Sequence, residues 1–164
     1  MWTYMDSPVG DLRIVANRTA ITAIEFAGSP AAVAVAPGGR PAGDRDDAHP
    51  LLVEAVRQLR AYFDRDLKEF DLPLAPTGTA FQQLVWEQLK GIGYGETTSY
   101  GEVAVGLGMR VAASRAVGLA NGRNPIPIVI PCHRVVGANG TLTGYGGGLE
   151  RKQILLDLEQ DALF

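Results

Sequence analysis

Hydrophobic and polar positions alternate over the first 26 residues of the chain, in the short runs "MWTYM", "LRIVAN" and "ITAIEF". Val, Ile, Tyr and Thr dominate these runs, and "SPVGD" and the Asn17-Arg18 pair separate them, which predicts three antiparallel strands. No period survives through "AGSPAAVAVAPGGRPAGDRDD", rich in Ala, Gly and Pro, so residues 28–48 read as a long loop. After His49-Pro50 the period turns helical: Leu52, Val56, Leu59 and Phe63 recur at i, i+4, i+7 and i+11. "DLPLAPTGT" then reads as a short last strand running into a linker.

A second unit begins near Thr79, which suits an N-cap, and Phe81, Leu84, Val85, Gln88 and Leu89 mark one helix ended by "GIGYG". "TTSYGEVAVGLG" predicts a short helix capped by Thr98 or Ser99 and stopped at Gly106–Gly108, and "RVAASRAVGLANG" predicts another soon after it. Two short helices joined by a tight Gly-containing turn are a helix-turn-helix candidate. The second carries Ala112, Ala113, Ser114, Ala116, Gly118 and Ala120, all small, with Arg115 as its long side chain. Such a face suits either tight helix packing or close approach to a groove. The expected fold class is α+β in two domains: residues 1–77, a small antiparallel sheet with a helix, and residues 78–164, mostly helical.

Bulk composition narrows the class further. With 46% hydrophobic and 20% charged residues the chain reads as soluble and globular. No apolar run approaches the ~18–20 residues of a membrane span. "MWTYMDSPVG" has neither the basic nor the apolar region of a signal peptide. One Cys forms no internal disulfide, and a free thiol suits a reducing cytoplasm. With one Cys and two His, a Cys/His zinc site is not expected, nor is any cofactor, and His49 amid "DRDDAHP" reads as a surface residue. The net charge of −3 argues against a polyanionic partner until its distribution is considered. Residues 1–75 hold eleven acids against eight bases, whereas Val103–Gly148 holds no acid and four arginines, Arg110, Arg115, Arg123 and Arg134. That segment is either a solvated basic face or a surface that tracks phosphates.

The single cysteine lies in "IVIPCHRVV", after a strand-like run from Ile126 to Ile130 interrupted by prolines. A lone Cys is most often a buried hydrophobe. Here the acid-free segment and Arg134 favour a thiolate, with a pKa expected below the free value of ~8.5. His133 is the natural base, acting through a bridging water because an adjacent residue need not touch the sulfur. A third group should orient its imidazole, and the last helix offers Glu150, Asp157 and Glu159, among which spacing does not choose. Downstream, "TGYGGG" sets one aromatic among glycines, either a plain surface turn or a slot for a flat ring walled by Tyr145.

"IPCHRVVGANGTLTGYGGGLERKQILL", with "GETTSYGEVAVGLG", "ASRAVGLANGRNPIPI" and "FQQLVWEQL", resembles the O6-alkylguanine–DNA alkyltransferase family, also called methylated-DNA–protein-cysteine methyltransferases. The match is dense from Thr79 to Glu159; the N-terminal half resembles the family's RNase H-like domain mainly in its opening strands. The resemblance implies Cys132 as alkyl acceptor, His133 as its water-linked base, Glu159 as the carboxylate holding His133, and Tyr100 as the hydrogen-bond donor to guanine. It implies Arg115 as the finger that fills the stack, on a helix whose Ala113 and Ser114 approach the DNA, while the charge of the acid-free segment points Arg110 and Arg123 toward phosphates. It lines the base pocket with Tyr100, Asn124, Val135, Tyr145, Gly146 and Gly147, with Asn124 also tying the recognition helix to the cysteine segment. Gly146 stands where some relatives carry a hydroxyl side chain, and the zinc site of some relatives has no residues here.

The function so implied is direct reversal of DNA damage. O6-alkylguanine, and as an open second substrate O4-alkylthymine, is flipped from duplex DNA gripped in the minor groove, and its alkyl group passes to Cys132 in one irreversible turnover. A monomer without membrane contact is expected, with clustering along DNA left open. One rival is a non-catalytic protein that binds alkylated bases, against which Cys132 argues. Another is a thiol hydrolase using Cys132, His133 and Glu159, which leaves the helix-turn-helix and Arg115 unexplained.

Overall fold

The computed structural model describes residues 1–27, 43–142, 145 and 147–161. They fall into two compact units, Met1–Pro76 and Thr77–Phe164. In the first, β1 (Trp2–Met5), β2 (Leu12–Ala16) and β3 (Ile21–Phe26) form an antiparallel meander in register Trp2↔Val15 and Leu12↔Phe26. Its buried side chains, among them Leu12, Ile14, Ile24 and Phe26, meet Leu52, Ala55, Leu59 and Tyr62 of α1 (Pro50–Phe63).

Three expectations change or gain detail in this unit. His49 is a cap: its Nδ1 accepts from the Leu51 N–H at 3.2 Å, and Pro50, which has no N–H to satisfy, starts the helix. The inner helix face runs through Ala55, Gln58 and Tyr62, with Val56 and Phe63 only half-buried. Buried Gln58 turns inward because its amide is fully used, accepting from the Asp71 N–H and donating to the Asp71 carbonyl, both at 2.9 Å. The short strand expected after α1 reduces to one parallel bridge, Ile21↔Leu74. Residues 28–42 of the expected loop lie outside the described residues, while Arg45 bridges Trp2 on β1.

The second unit opens with α2 (Ala80–Leu89), started by a capping box in which Thr79 and Gln82 satisfy each other's backbone N–H. β4 (Thr98–Ser99) leads into α3 (Tyr100–Gly106), capped by Ser99. A 3₁₀ turn, Val111–Ala113, precedes α4 (Ser114–Gly122). A second 3₁₀ turn, Cys132–Arg134, runs into β5 (Val135–Val136), and α5 (Leu149–Asp161) follows. The chain bends by 118° between α3 and the segment Val111–Gly122, within the range of a helix-turn-helix. Gly108, at φ +78°, makes that turn without a Cβ penalty. At Gly101 a Cβ would press to 3.2 Å on Val111 Cγ1, so glycine sets how closely the two helices approach.

Here the structure corrects the α2 face and the cysteine approach. Leu84 is 60% exposed and Gln88 is also outside, whereas Val85 and Leu89 are buried together with Trp86, which the period did not mark. Trp86 turns inward because its indole N–H donates to the Ala120 carbonyl on α4 at 2.9 Å. Ile126–Ile130 forms turns, not a strand. Pro125, Pro127 and Pro131 supply no N–H to a ladder, and Ile128 sits at φ +73°, a costly conformation for a β-branched residue. Burial of Ile126, Ile128 and Ile130 holds the loop in that shape. Among the described residues no single helix is long and apolar enough to cross a membrane.

Trp86 anchors α4 to α2, so Trp86→Phe should destabilise the second unit. The Ala120 carbonyl loses the indole donor and keeps only the Arg123 N–H at 3.2 Å, a loss of about 1 kcal/mol. Urea unfolding followed by circular dichroism should show a lower midpoint at an unchanged slope; an unchanged midpoint would mean that the hydrogen bond carries no stability.

Candidate active site

Cys132 opens its 3₁₀ turn and is buried, 4% exposed. Two asparagines shape its approach. Asn124, just past α4, donates to the Ile130 carbonyl at 2.8 Å and accepts from the Ile126 N–H at 3.0 Å, replacing the partners the prolines remove. Asn121, on α4 itself and also buried, donates to the Cys132 carbonyl at 3.2 Å. The recognition helix is therefore bonded directly to the cysteine backbone, through a residue the sequence reading did not single out.

His133 and Arg134 both turn toward α5. His133 Nε2 lies 2.6 Å from Glu159 Oε2, and both side chains are buried. Nδ1 of His133 has no hydrogen-bond partner among the described residues. Glu150 and Asp157, the other carboxylates that spacing allowed, are exposed. Arg134 was expected to favour the thiolate and to belong to a basic face, solvated or phosphate-tracking; it is instead buried and turned to Glu159. Its Nε donates to Glu159 Oε1 at 2.8 Å, Nη2 to Oε2 at 3.1 Å and Nη1 to the Ile92 carbonyl at 2.6 Å, which buries it. A planar guanidinium can meet a carboxylate on two edges, and that geometry fixes its direction.

Tyr100 reaches the same place by a different route. It is the first residue of α3, directly after β4, and β4 pairs in parallel with β5 (Thr98↔Val135, Ser99↔Val136). The turn carrying Cys132 ends where β5 begins, so two residue pairs bring Tyr100 to the cysteine segment. Lys152 of α5 lies over this junction, fully buried, with Nζ 2.6 Å from the Val135 carbonyl and 5.9 Å from the Tyr100 ring centre. Lys152 was not predicted. Its signal was in the sequence: with Leu155, Leu156 and Glu159 it occupies one helical face at i, i+3, i+4 and i+7, a charge in an inward stripe. Val135 and Tyr145 are buried nearby in the chain, Gly147 offers its carbonyl to Arg151 Nη1 at 3.0 Å, and Gly146 lies outside the described residues.

On the helix-turn-helix, Arg110, Arg115 and Arg123 are exposed, and Ala113 and Ser114 half-buried. Ser99, Tyr100, Gly101, Val105, Val111 and Ser114 line a largely apolar cleft of about 420 Å³ between the two helices. Tyr100 thus belongs both to this cleft and to the cysteine side, where Gly118 of α4 faces its ring.

The electrostatics overturn the expected acidic thiol. Burial pushes Cys132 up to about 11, against the pull of hydrogen bonds from Asn124 and Tyr145 and of the Lys152 charge. Burial likewise lowers His133, against the pull of Glu159, so the imidazole is neutral and able to take a proton. For Glu159 burial acts to raise the pKa, but the hydrogen bonds and charges of His133 and Arg134 outweigh it and hold the carboxyl at about 2. The site is a protonated thiol beside a neutral base whose outer nitrogen is fixed by an ionised, clamped carboxylate.

A family model for the DNA binding domain of 6-O-methylguanine DNA methyltransferase matches residues 80–161, and one for the ribonuclease-like domain of the same family matches residues 1–76. A methylated-DNA–protein-cysteine methyltransferase of Methanosarcina barkeri is 46% identical over 159 residues, covering 97% of this chain and 96% of its own. The protein of that name from Methanosarcina acetivorans is 63% identical over 106 residues, 65% of this chain and 67% of its own. A crystal structure of Mycobacterium tuberculosis OGT in complex with DNA is similar at a TM-score of 0.83 and 45% identity, over 98% of this chain and 93% of that one.

Two of the shifted groups, Glu159 and Cys132, make stability depend on pH with opposite signs. Glu159 titrates at about 2 in the fold against an ordinary 4.5, so the unfolded chain binds more protons between these values and stability is lost as pH falls from about 4.5 to 2. Cys132 titrates at about 11 against 9.0, so the fold binds more protons there and stability is lost as pH rises from about 9 to 11. Chemical denaturation across pH should show Glu159→Gln flattening the acid limb and Cys132→Ala the alkaline one. Limbs parallel to wild type would contradict the assignment.

Proposed function

Because the chain belongs to the 6-O-methylguanine DNA methyltransferase family, we propose that it repairs alkylated DNA by direct reversal, acting as a methylated-DNA–protein-cysteine methyltransferase whose acceptor is Cys132. The observation that carries this reading is the hydrogen-bonded line from Glu159 to His133 beside the chain's single thiol, in the same compact unit as a helix-turn-helix. The partner is double-stranded DNA containing O6-alkylguanine, bound through the minor groove by a monomer in the cytoplasm.

Guanine O6 lies inside the duplex, where a buried thiol has no access to it, so the nucleotide is turned out at a cost of a few kcal/mol. The small residues around Ala113 and Ser114 let α4 approach the groove, and exposed Arg115 enters the stack in place of the base. Arg110 and Arg123, also exposed, meet phosphates. The base lies against Tyr100, Val135 and Tyr145, the last also hydrogen-bonded to the thiol.

His133 takes the thiol proton through a water at Nδ1, while Glu159 holds the imidazolium that results. The sulfur attacks the alkyl carbon; the S–C bond forms as the C–O6 bond breaks, and the electron pair leaves with guanine. The guanine anion takes up a proton donated by the Tyr100 hydroxyl, a donor aimed at charge that develops only during transfer. Tyr100 then regains a proton and the His133 imidazolium gives its own up through solvent, so that overall the thiol has lost one proton, guanine has gained one, and the alkyl group is on sulfur. A thioether offers no hydrolytic route back, so each molecule acts once.

Incubation with DNA containing O6-methylguanine should add the mass of one methylene to the protein, on Cys132, at one equivalent. Cys132→Ser should abolish the gain while leaving DNA binding in place. Intact mass and peptide mapping check this; methyl on another residue, or many turnovers with methanol released, would overturn it.

Finger and donor separate by substrate. Arg115→Ala removes about 1–3 kcal/mol from the flipped state, so repair of duplex DNA should slow by roughly 5- to 150-fold. Reaction with free O6-alkylguanine base, which needs no flipping, should stay near wild type. Tyr100→Phe should slow both. Single-turnover rates on the two substrates decide, and equal slowing of both by Arg115→Ala would make Arg115 a pocket residue.

A further inference from the structure

Two buried acceptors beside Cys132, Nδ1 of His133 and Oδ1 of Asn121, have no hydrogen-bond partner among the described residues. His133 is 0% exposed and Asn121 1%. A polar atom so enclosed is costly unless a donor reaches it. The role of each atom is set by its neighbour. Glu159 is ionised and only accepts, so His133 Nε2 carries the ring proton toward it and Nδ1 keeps a lone pair. Asn121 Nδ2 donates to the Cys132 carbonyl at 3.2 Å. Turning that amide over would set two oxygens face to face, so Oδ1 is held on the amide's other side.

Helix α4 is not free to relieve Asn121. The Trp86 indole pins the Ala120 carbonyl at 2.9 Å, and the Asn121 carbonyl accepts from the Asn124 N–H at 3.3 Å. The thiol takes its own hydrogen bonds from Asn124 and Tyr145, so Asn121 is bonded to the backbone of Cys132 and not to its sulfur. One water satisfies both orphaned atoms. It has two hydrogens for two acceptors, and with both given away its oxygen is the part left to face the thiol.

We propose that Asn121 is a positioning residue that, together with His133 Nδ1, holds the water carrying the Cys132 proton and fixes the direction in which it passes, a role that rests on the transfer reading. The thiol proton moves to the water oxygen as the hydrogen facing His133 moves to Nδ1. The water that remains keeps one hydrogen on Asn121 Oδ1 and points the other at the thiolate. Asn121 itself gains and loses no proton. A water held at one point only is free to turn, and its oxygen then faces the thiol less often.

The chain has two histidines, so nitrogen NMR of protein isotope-labelled at histidine gives two rings. His49→Asn, which keeps a capping side chain, identifies the other ring as His133. Asn121→Leu is close in size and lacks both polar atoms. In it the His133 Nδ1 resonance should move toward the position of a bare ring nitrogen, while Nε2, still on Glu159, stays. Single-turnover methyl uptake from saturating O6-methylguanine DNA should slow about tenfold, the scale of one lost hydrogen bond, with DNA affinity kept within about twofold. A displaced cysteine would slow uptake as well, but would leave Nδ1 where it was.

If Nδ1 does not move in Asn121→Leu, or moves while uptake stays at the wild-type rate, the proposal fails. If circular dichroism shows that Asn121→Leu does not fold, Asn121→Met, whose unbranched side chain adapts to the same space, takes its place. If neither folds, Asn121 is structural and the proposal fails likewise. Wild-type protein that takes no methyl from the DNA, yet shows the Nδ1 shift on substitution, would instead remove the transfer reading and leave the hold of Asn121 on the water standing.

Discussion

An ionised carboxylate buried away from water survives only if its lone pairs are taken, and Glu159, 1% exposed, meets that condition in full. It is bonded by His133 Nε2, by Arg134 on both oxygens, and by the Gly95 N–H at 3.3 Å. Three stretches of chain are thereby referred to one group: the "GIGYG" segment after α2, the turn carrying Cys132, and α5. Gln160, next to Glu159, adds a bond to the Gly95 carbonyl at 2.9 Å. Removing any one donor would leave part of the charge uncovered, so the imidazole direction, the path of Arg134 and the seat of α5 depend on each other.

Around that anchor the fold uses small pieces that would not stand alone. Two two-residue strands are far below what an isolated pair needs, yet β4 and β5 set the distance between Tyr100 and the cysteine turn. They persist because Lys152 ties down the Val135 carbonyl and Ser99 caps α3 at the other end. The loop before Cys132 is strained at Ile128, and its backbone bonds are supplied by asparagine side chains instead of a ladder. Strain of this kind persists only where surroundings over-determine it; here three buried isoleucines and two asparagines do so, and Asn121 links the same loop to α4.

How much of this could be read from the sequence follows from what periodicity and spacing encode. Helix starts at Thr79 and Ser99 and the turn at Gly106–Gly108 are local signals, and they hold. The division expected between residues 77 and 78 rests on the linker "DLPLAPTGT" and the new helical period from Thr79, and the compact units are Met1–Pro76 and Thr77–Phe164. Proline-broken "NPIPIVIP" misleads, because apolar content suggests a strand while the lost N–H groups forbid one. Arg134 reads as a surface cation since nothing local reveals Glu159, 25 residues away. The thiol expectation fails for a related reason: charge counted along the chain says nothing about burial, and burial is the larger effect on Cys132. The choice of Glu159 over Glu150 and Asp157 came from resemblance, and in the fold it corresponds to the one of the three that faces inward.

A thiol held near 11 looks like a poor nucleophile at neutral pH, but the surrounding charges alter that judgement. Moving the proton from Cys132 to His133 changes no net charge within the site; it creates an anion and a cation a short distance apart. The imidazolium has its partner already in position in Glu159, which does not have to be drawn from solvent. Arg134 moderates that pairing, since it shares both Glu159 oxygens and so keeps His133 from holding its proton too firmly. The resting thiol is therefore protonated, and on the proposed transfer its ionised state is reached by a proton shift inside the site. On the proposed transfer an alkylated sulfur is neutral and has no proton to exchange, so the His133–Glu159 line has nothing left to act on.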